Sequence, residues 1–167
     1  AALKELLKPN GHIIMEVPDC SRQLELLDYS TIWEEHIVYF TPQTLKSCLL
    51  NHGFLIEKFE VVPSAIEGPM VAVVRLNQDI SFSPHDFSFF EDVAQEVKRV
   101  EAFCRSFQDY KKKMKDFFWT LKQSVTVFGA GHSAAILINV CELPISRVID
   151  DNPHKKGLYM PGSRVPI

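Results

Sequence analysis

The sequence predicts a fold of the α/β class, and two patterns in it carry the prediction. Near the C-terminus, an apolar strand over 125–128 runs into the turn Gly129-Ala130-Gly131, and an apolar helix then reaches Cys141. A second strand, 147–150, follows that helix, and the order strand, helix, strand predicts a parallel pair. Near the N-terminus, the short and nearly continuous apolar run over 12–17 is typical of a buried parallel strand.

The remaining elements follow from apolar spacing and from residues that begin or end helices. Thr41 and Pro42 are a typical N-cap and first helical residue, and Gly53 is a typical helix end, so a helix is predicted over 42–52. The other predicted elements are helices at the start of the chain and over 22–27 and 88–122, and strands over 54–63 and 70–76.

Composition and charge exclude several classes of protein. The 167 residues include 18 Lys and Arg against 21 Asp and Glu, so the net charge is -3 and nucleic acid is not expected as a partner. No apolar run is long enough for a membrane span and no signal peptide is recognisable, so we expect a cytoplasmic protein without a membrane partner. The four cysteines stand singly, so neither a disulfide framework nor a metal site is predicted within the chain.

A polar stretch containing Ser and Pro predicts a linker over 77–84. We therefore expect a first domain over residues 1–80 and a second over 81–167. The chain opens inside a helical pattern that has no capping residue, and it closes at 164–167 as though a strand were beginning. Both ends favour a fragment of a longer protein.

The glycine turn has the pattern of a nucleotide site. Gly129, Ala130, Gly131 and His132 lead into the helix in the order G-x-G-x-x-A, and Asp150 stands 21 residues after Gly129 at the end of the next strand. Such glycines let the backbone approach a phosphate, the helix N-terminus supplies N–H donors, and the carboxylate can accept ribose hydroxyls. The same geometry serves NAD, nucleotide-sugars and other anions, or a tight turn without a ligand.

A second candidate is the acidic and histidine pair Glu35-His36, followed by Tyr39. A histidine beside a carboxylate can act as a general base near neutral pH. From the residues alone, a feature of a surface loop is the favoured interpretation of the pair. The lysine run Lys111-Lys112-Lys113 with Lys115 is interpretable as a solvated helix face or as a neighbour of a bound phosphate.

Taken together, these residues resemble the S-adenosylmethionine-dependent C-methyltransferases that act on nucleotide-linked 4-keto deoxysugars. Residues 6–18 look like a late helix, a turn and the fifth strand of a class I methyltransferase domain. Residues 33–41, WEEHIVYFT, resemble the family's E-H-x-x-Y/F-F-S segment, and 125–167 look like its C-terminal domain. The implied fold is the tail of a class I methyltransferase Rossmann-like sheet, its last strand antiparallel, plus a C-terminal Rossmann-like α/β domain preceded by a long helix.

The resemblance also implies roles for single residues. His36 would be the base that removes the proton beside the 4-keto group, with Glu35 as its neighbouring acid or orienting residue and Tyr39 shaping the sugar pocket. The resulting enolate would attack the methyl group of S-adenosylmethionine. The residues expected around the nucleotide or its phosphates are Gly129, Ala130, Gly131, His132 and Asp150.

Some of the family's parts are expected outside this chain. The resemblance places the S-adenosylmethionine site upstream of Ala1, and it places zinc in an N-terminal module that would precede it. The segment 66–71, IEGPMV, departs from the family's His-Gly-Gly pattern, so the particular sugar stays open, as does the oligomeric state. Two alternatives also stay open: an NAD-dependent oxidoreductase and a non-catalytic nucleotide-sugar-binding module.

Overall fold

The computed structural model of the chain describes residues 2–32, 36–64, 68–77 and 89–167. It divides into two compact units, Ala1–Leu26 with Val38–Glu101 and Leu27–Ile37 with Ala102–Ile167. The predicted boundary near residue 80 lies outside the described residues. The second unit therefore includes a short segment, 27–37, that is distant from the rest of the unit in the sequence.

The first unit contains the predicted N-terminal elements. The helix predicted over 42–52 and the two strands predicted after it are confirmed to within two residues at each end. The elements are α1 (Ala2–Leu6), β1 (His12–Pro18), α2 (Ser21–Leu26), α3 (Pro42–Asn51), β2 (Phe54–Val61), β3 (Pro69–Leu76) and the first part of α4 (Phe89–Thr120).

The three strands of this unit form one sheet in the order β1-β3-β2. The last strand, β3, is antiparallel to both of its neighbours, as the resemblance implied. The expectation of a buried parallel strand over 12–17 is wrong among the described residues, because β1 pairs antiparallel with β3 and exposes alternate residues. Ile14 is 73% exposed, so only the face of Ile13, Met15 and Val17 packs on the core.

Helix α3 is fixed on this sheet by its ends and by its apolar face. The Thr41 side chain accepts from the Thr44 N–H, and Thr44 Oγ1 in turn accepts from the Thr41 N–H. Gly53 follows the helix with a φ of 72°, a left-handed conformation that favours glycine. The buried residues of the core that α3 and the sheet share are Leu45, Leu49, Phe54, Met70, Ala72 and Val74.

The second unit carries the glycine turn. Its elements are the 3₁₀ turn Tyr29–Thr31, the later part of α4, β4 (Val125–Phe128), α5 (His132–Cys141), β5 (Ile145–Ile149) and the 3₁₀ turn Pro153–Lys155. Strands β4 and β5 are parallel, as predicted, and α4 is one continuous helix. Together with the first unit, this confirms the α/β class.

The C-terminal segment of the second unit continues its small sheet. Val148 of β5 donates its N–H to the carbonyl of Pro166 at 2.9 Å, and Tyr159 and Pro166 form an antiparallel bridge. The end of the chain, expected to begin a strand, thus lies beside β5. The buried residues of the core beneath it are Ile138, Cys141, Leu143, Ile145, Val148 and Met160. None of the described helices is apolar over enough residues to cross a lipid bilayer.

Candidate functional site

The glycine turn lies where β4 ends and α5 begins. Gly129 has a φ of 97°, which favours glycine, and its N–H donates to the carbonyl of Ile149 at 2.7 Å. Gly131 is the N-cap of α5, and no side chain caps this end of the helix. Apart from the glycine itself and its two chain neighbours, no atom of the described chain lies within 4 Å of the place where a Cβ would stand on either glycine. The turn is therefore open to a ligand that accepts hydrogen bonds from backbone N–H groups.

Asp150 lies directly after β5 and is joined to the glycine turn. Its Oδ2 accepts from the Ala130 N–H at 2.6 Å, and its Oδ1 accepts from the Asn152 N–H at 3.0 Å. The side chain is only 8% exposed. The structure thus brings together the predicted residues of the turn and the predicted carboxylate.

Lys155 completes this arrangement, and sequence analysis missed it. Its Nζ donates to Asp150 Oδ2 at 2.9 Å and to the carbonyl of Ala130 at 3.0 Å. The N–H and the C=O of Ala130 are therefore both held by one ion pair, which we call the Asp150–Lys155 pair. The signal in the sequence was the Asn152-Pro153 turn, since Asn152 Oδ1 accepts from the His154 N–H and so begins the 3₁₀ turn that carries Lys155.

The same contacts set the charge of the carboxyl group. The Lys155 ammonium, together with the N–H groups of Asn152 and Ala130, lowers the pKa of Asp150 from 3.8 to about 2. Asp150 is therefore ionised at neutral pH, where a diphosphate also carries its negative charges. Oδ2 accepts two hydrogen bonds from the chain and Oδ1 accepts one, so a single lone-pair site, on Oδ1, remains for a ribose hydroxyl.

Two exposed side chains flank the turn. His132 is the first residue of α5, and its Nε2 lies 3.4 Å from Ser133 Oγ. Phe128, the last residue of β4, is 74% exposed and is paired in register with Ile149. Sequence analysis did not single out Phe128, although the alternation in β4, with Val125 and Val127 packed on the core, points its ring outward.

The segment that carries His36 is attached to α4 through Tyr29. The Tyr29 hydroxyl donates to the carbonyl of Phe103 at 2.7 Å and lies 2.6 Å from Ser106 Oγ. Its ring also packs on Phe103 at a centroid distance of 4.3 Å, and the side chain is 2% exposed. Seven residues before His36, the chain is thus fixed firmly within the second unit.

The predicted catalytic residues are described only in part. His36 is half-buried and belongs to the second unit, whereas Tyr39 is exposed and belongs to the first. Glu35 lies outside the described residues. The hydrogen bonds that join the glycine turn to Asp150 and Lys155 are made by those residues themselves, and His36 takes no part in them.

The lysine run is directed away from the glycine turn. Lys111 and Lys115 both donate to the carboxylate of Glu142, and Lys112 pairs with Asp116 on α4 itself. Because Glu142 is the C-cap of α5, the first pair of lysines meets the end of that helix opposite to the turn. The two ammonium groups lower the pKa of Glu142 to about 2. The alternative that places these lysines beside a phosphate is not supported.

The described residues contain no group of three or more His, Cys, Asp or Glu side chains arranged to hold a metal ion. What the fold and the site define is an α/β protein with an open glycine turn at the carboxyl end of a parallel strand. Residues 90–167, which include the turn and the Asp150–Lys155 pair, match the model of a family described as the C-methyltransferase C-terminal domain. This match supports, for residues 90–167, the resemblance to the C-terminal portion of the C-methyltransferases. No curated protein matches the chain.

Proposed function

We propose that the protein to which this chain belongs transfers a methyl group from S-adenosylmethionine to a carbon of a nucleotide-linked 4-keto deoxysugar. The observation that carries the proposal is the open glycine turn, held by the Asp150–Lys155 pair, inside the segment that matches the C-methyltransferase family. The role of this turn is to bind the nucleotide part of the sugar substrate.

The backbone of the turn is suited to a diphosphate. The first N–H groups of α5 have no side-chain cap, and the N-terminus of a helix carries a partial positive charge that favours phosphate. The open space at Gly129 and Gly131 allows phosphate oxygens to approach the backbone. Phe128, at the entrance of the turn, offers an exposed ring on which the nucleobase can stack.

His36 performs the proton transfer in this proposal. Its imidazole takes the proton from the carbon beside the 4-keto group, and the electron pair of that C–H bond forms the enolate. Glu35 orients the imidazole and stabilises the imidazolium, and Tyr39 borders the sugar. The enolate carbon then accepts the methyl group, whose bond to sulfur breaks with its electron pair left on sulfur.

S-adenosylmethionine supplies the methyl group when it is bound. Among the described residues, the glycine turn belongs to the segment that matches the C-terminal domain rather than to the first unit, and we assign it to the sugar nucleotide. The site for S-adenosylmethionine is proposed to lie upstream of Ala1.

An NAD-dependent oxidoreductase is less well supported by the same contacts. In a dinucleotide site of this pattern, the acidic residue after the second strand accepts ribose hydroxyls. Here Oδ2 of Asp150 accepts from Lys155 and from the Ala130 N–H, and Oδ1 accepts from the Asn152 N–H, which leaves one lone-pair site for a ribose hydroxyl. The arrangement favours a ligand held through its phosphates.

The test is made on the complete protein that contains this chain. Calorimetric titration with a nucleoside-diphosphate 4-keto deoxysugar and fluorescence titration with NADH compare the two ligands, and transfer of labelled methyl from S-adenosylmethionine to the sugar measures activity. Binding of the sugar nucleotide with methyl transfer supports the proposal. Micromolar binding of NADH without methyl transfer would favour the oxidoreductase, and sugar-nucleotide binding without methyl transfer would favour a binding module.

A further inference from the structure

The glycine turn is held by hydrogen bonds as well as by the packing of Ala130 on the core of the second unit. Apart from atoms of its own chain neighbours, neither Gly129 nor Gly131 has an atom within 4 Å of its missing Cβ, so no more distant side chain restricts these two glycines sterically. Glycine has more backbone freedom to lose than any other residue. A turn with two glycines therefore needs other contacts if it is to be ordered before a ligand arrives.

Those contacts converge on Ala130, the residue between the two glycines. Its N–H donates to Asp150 Oδ2 at 2.6 Å, and its C=O accepts from Lys155 Nζ at 3.0 Å. Because Lys155 also donates to Asp150 Oδ2, the two side chains hold each other as well as the backbone. Hydrogen bonds to charged groups are stronger than neutral ones, so the pair fixes the peptide groups on both sides of Ala130.

We propose that Lys155 is a positioning residue for the nucleotide-sugar, acting through Asp150 and the glycine turn. The inference rests on the proposed function of the turn as the diphosphate site. Lys155 keeps the turn in the conformation that leaves the N-terminus of α5 open. It also neutralises the charge of Asp150, which would otherwise repel a diphosphate close by.

The first test replaces Lys155 by methionine, which keeps the aliphatic stem and removes the ammonium group. In the complete protein, Lys155→Met is expected to raise the KM and the Kd for the nucleotide-sugar by about tenfold, with kcat changed by less than about twofold. Lys156→Met is the matched control, because Lys156 is exposed, and it should leave the KM unchanged. A KM that is unchanged in Lys155→Met overturns the proposal.

A double variant separates positioning from direct contact with the phosphate. Asp150→Asn with Lys155→Met removes both charges but keeps an oxygen for the Ala130 N–H. If Lys155 acts through Asp150, the double variant has a lower KM than Lys155→Met alone, because no unpaired carboxylate remains. A KM increase equal to the product of the two single increases shows that Lys155 acts independently and overturns the proposal.

Hydrogen exchange of the unliganded protein gives a readout that does not depend on the substrate. The peptide containing residues 129–131 is expected to exchange faster in Lys155→Met than in the parent protein or in Lys156→Met. Unchanged exchange there contradicts the positioning role even if the KM rises. If the parent protein binds no nucleotide-sugar, the proposed function fails, and a faster exchange still supports the role of Lys155 in ordering the turn.

Discussion

The Asp150 carboxylate and the Ala130 N–H are joined by a hydrogen bond of 2.6 Å, which connects the end of β5 to the turn after β4. The two residues are 20 positions apart in the sequence and meet because parallel strands end at the same edge of a sheet. Lys155 Nζ donates to the same carboxylate oxygen and to the carbonyl of Ala130. The Asp150–Lys155 pair therefore supports the glycine turn through hydrogen bonds to charged groups of the chain itself.

This support predicts how stability depends on pH. The pKa of Asp150 is lowered in the folded state from 3.8 to about 2, so ionised Asp150 stabilises the folded protein above pH 3.8. That contribution is lost as the pH falls from about 4 towards 2. Asp150→Asn should therefore have a lower free energy of unfolding than the parent protein at pH 7, and the difference should shrink steadily through this window.

Urea denaturation at a series of pH values measures this difference. Glu142, whose pKa is also lowered to about 2, titrates in the same window in both proteins, so the comparison isolates Asp150. Asp151→Asn is a suitable control, because Asp151 is exposed and next in sequence. A difference between Asp150→Asn and the parent that stays constant down to pH 2 would contradict the role of the ionised carboxylate.

The ion pairs of Glu142, at the C-terminal end of α5, should contribute less to stability as the salt concentration rises. Glu142 accepts from Lys111 and Lys115 on the surface, where ion pairs are screened. Glu142→Gln is expected to lower the thermal midpoint slightly at low ionic strength and by less at 1 M salt. Thermal denaturation in both buffers measures the effect, with Asp109→Asn as a control on α4. An equal loss in both buffers would show that charge attraction to the two lysines does not account for the contribution of Glu142.

Local signals allowed much of the fold to be predicted, whereas long-range pairings did not follow from them. Thr41 and Gly53 mark the ends of α3 because capping depends on a few neighbouring residues. Strand β1 pairs with β3, which lies more than fifty residues later in the chain. Nothing within the apolar run over 12–17 indicates this partner, so the run alone predicts a buried parallel strand. The candidate site could be predicted in part for the same reason. The glycine turn and Asp150 have a known spacing in the sequence, whereas the contact of Lys155 with Ala130 depends on the fold.

Tyr29 is a second case in which a long-range contact does not follow from local sequence signals, and it leads to a stability prediction. Nothing local marks this residue, yet its hydroxyl reaches the carbonyl of Phe103, 74 positions away. Tyr29→Phe keeps the ring contacts and removes the hydroxyl, so the free energy of unfolding should fall by about 0.5–1.5 kcal/mol. Tyr159→Phe, at an exposed tyrosine of the same unit, should cause almost no change. Equal values for the two variants in urea denaturation would argue against the anchoring role of the buried hydroxyl.

Phe128 gives a prediction about the base of the nucleotide. Because its ring is exposed at the entrance of the glycine turn, Phe128→Ala should weaken binding of the sugar nucleotide by about 1–3 kcal/mol, the usual contribution of a base stacked on an aromatic ring. Phe117→Ala, at another exposed ring of the second unit, should leave binding unchanged. Calorimetric titration of both variants checks this, and equal affinities would place the nucleobase elsewhere.

His36 gives the prediction that bears most directly on the chemistry. A general base contributes about 10²–10⁴-fold to a rate, so His36→Asn in the complete protein should lose activity by that factor. Since the glycine turn and the Asp150–Lys155 pair hold the nucleotide in our proposal, and His36 takes no part in the hydrogen bonds between them, the Kd for the sugar nucleotide should stay close to that of the parent. The His12→Asn variant, on β1, serves as the control and should keep full activity. Methyl-transfer rates and calorimetric Kd values together test the assignment, and full turnover by His36→Asn would remove His36 from the mechanism.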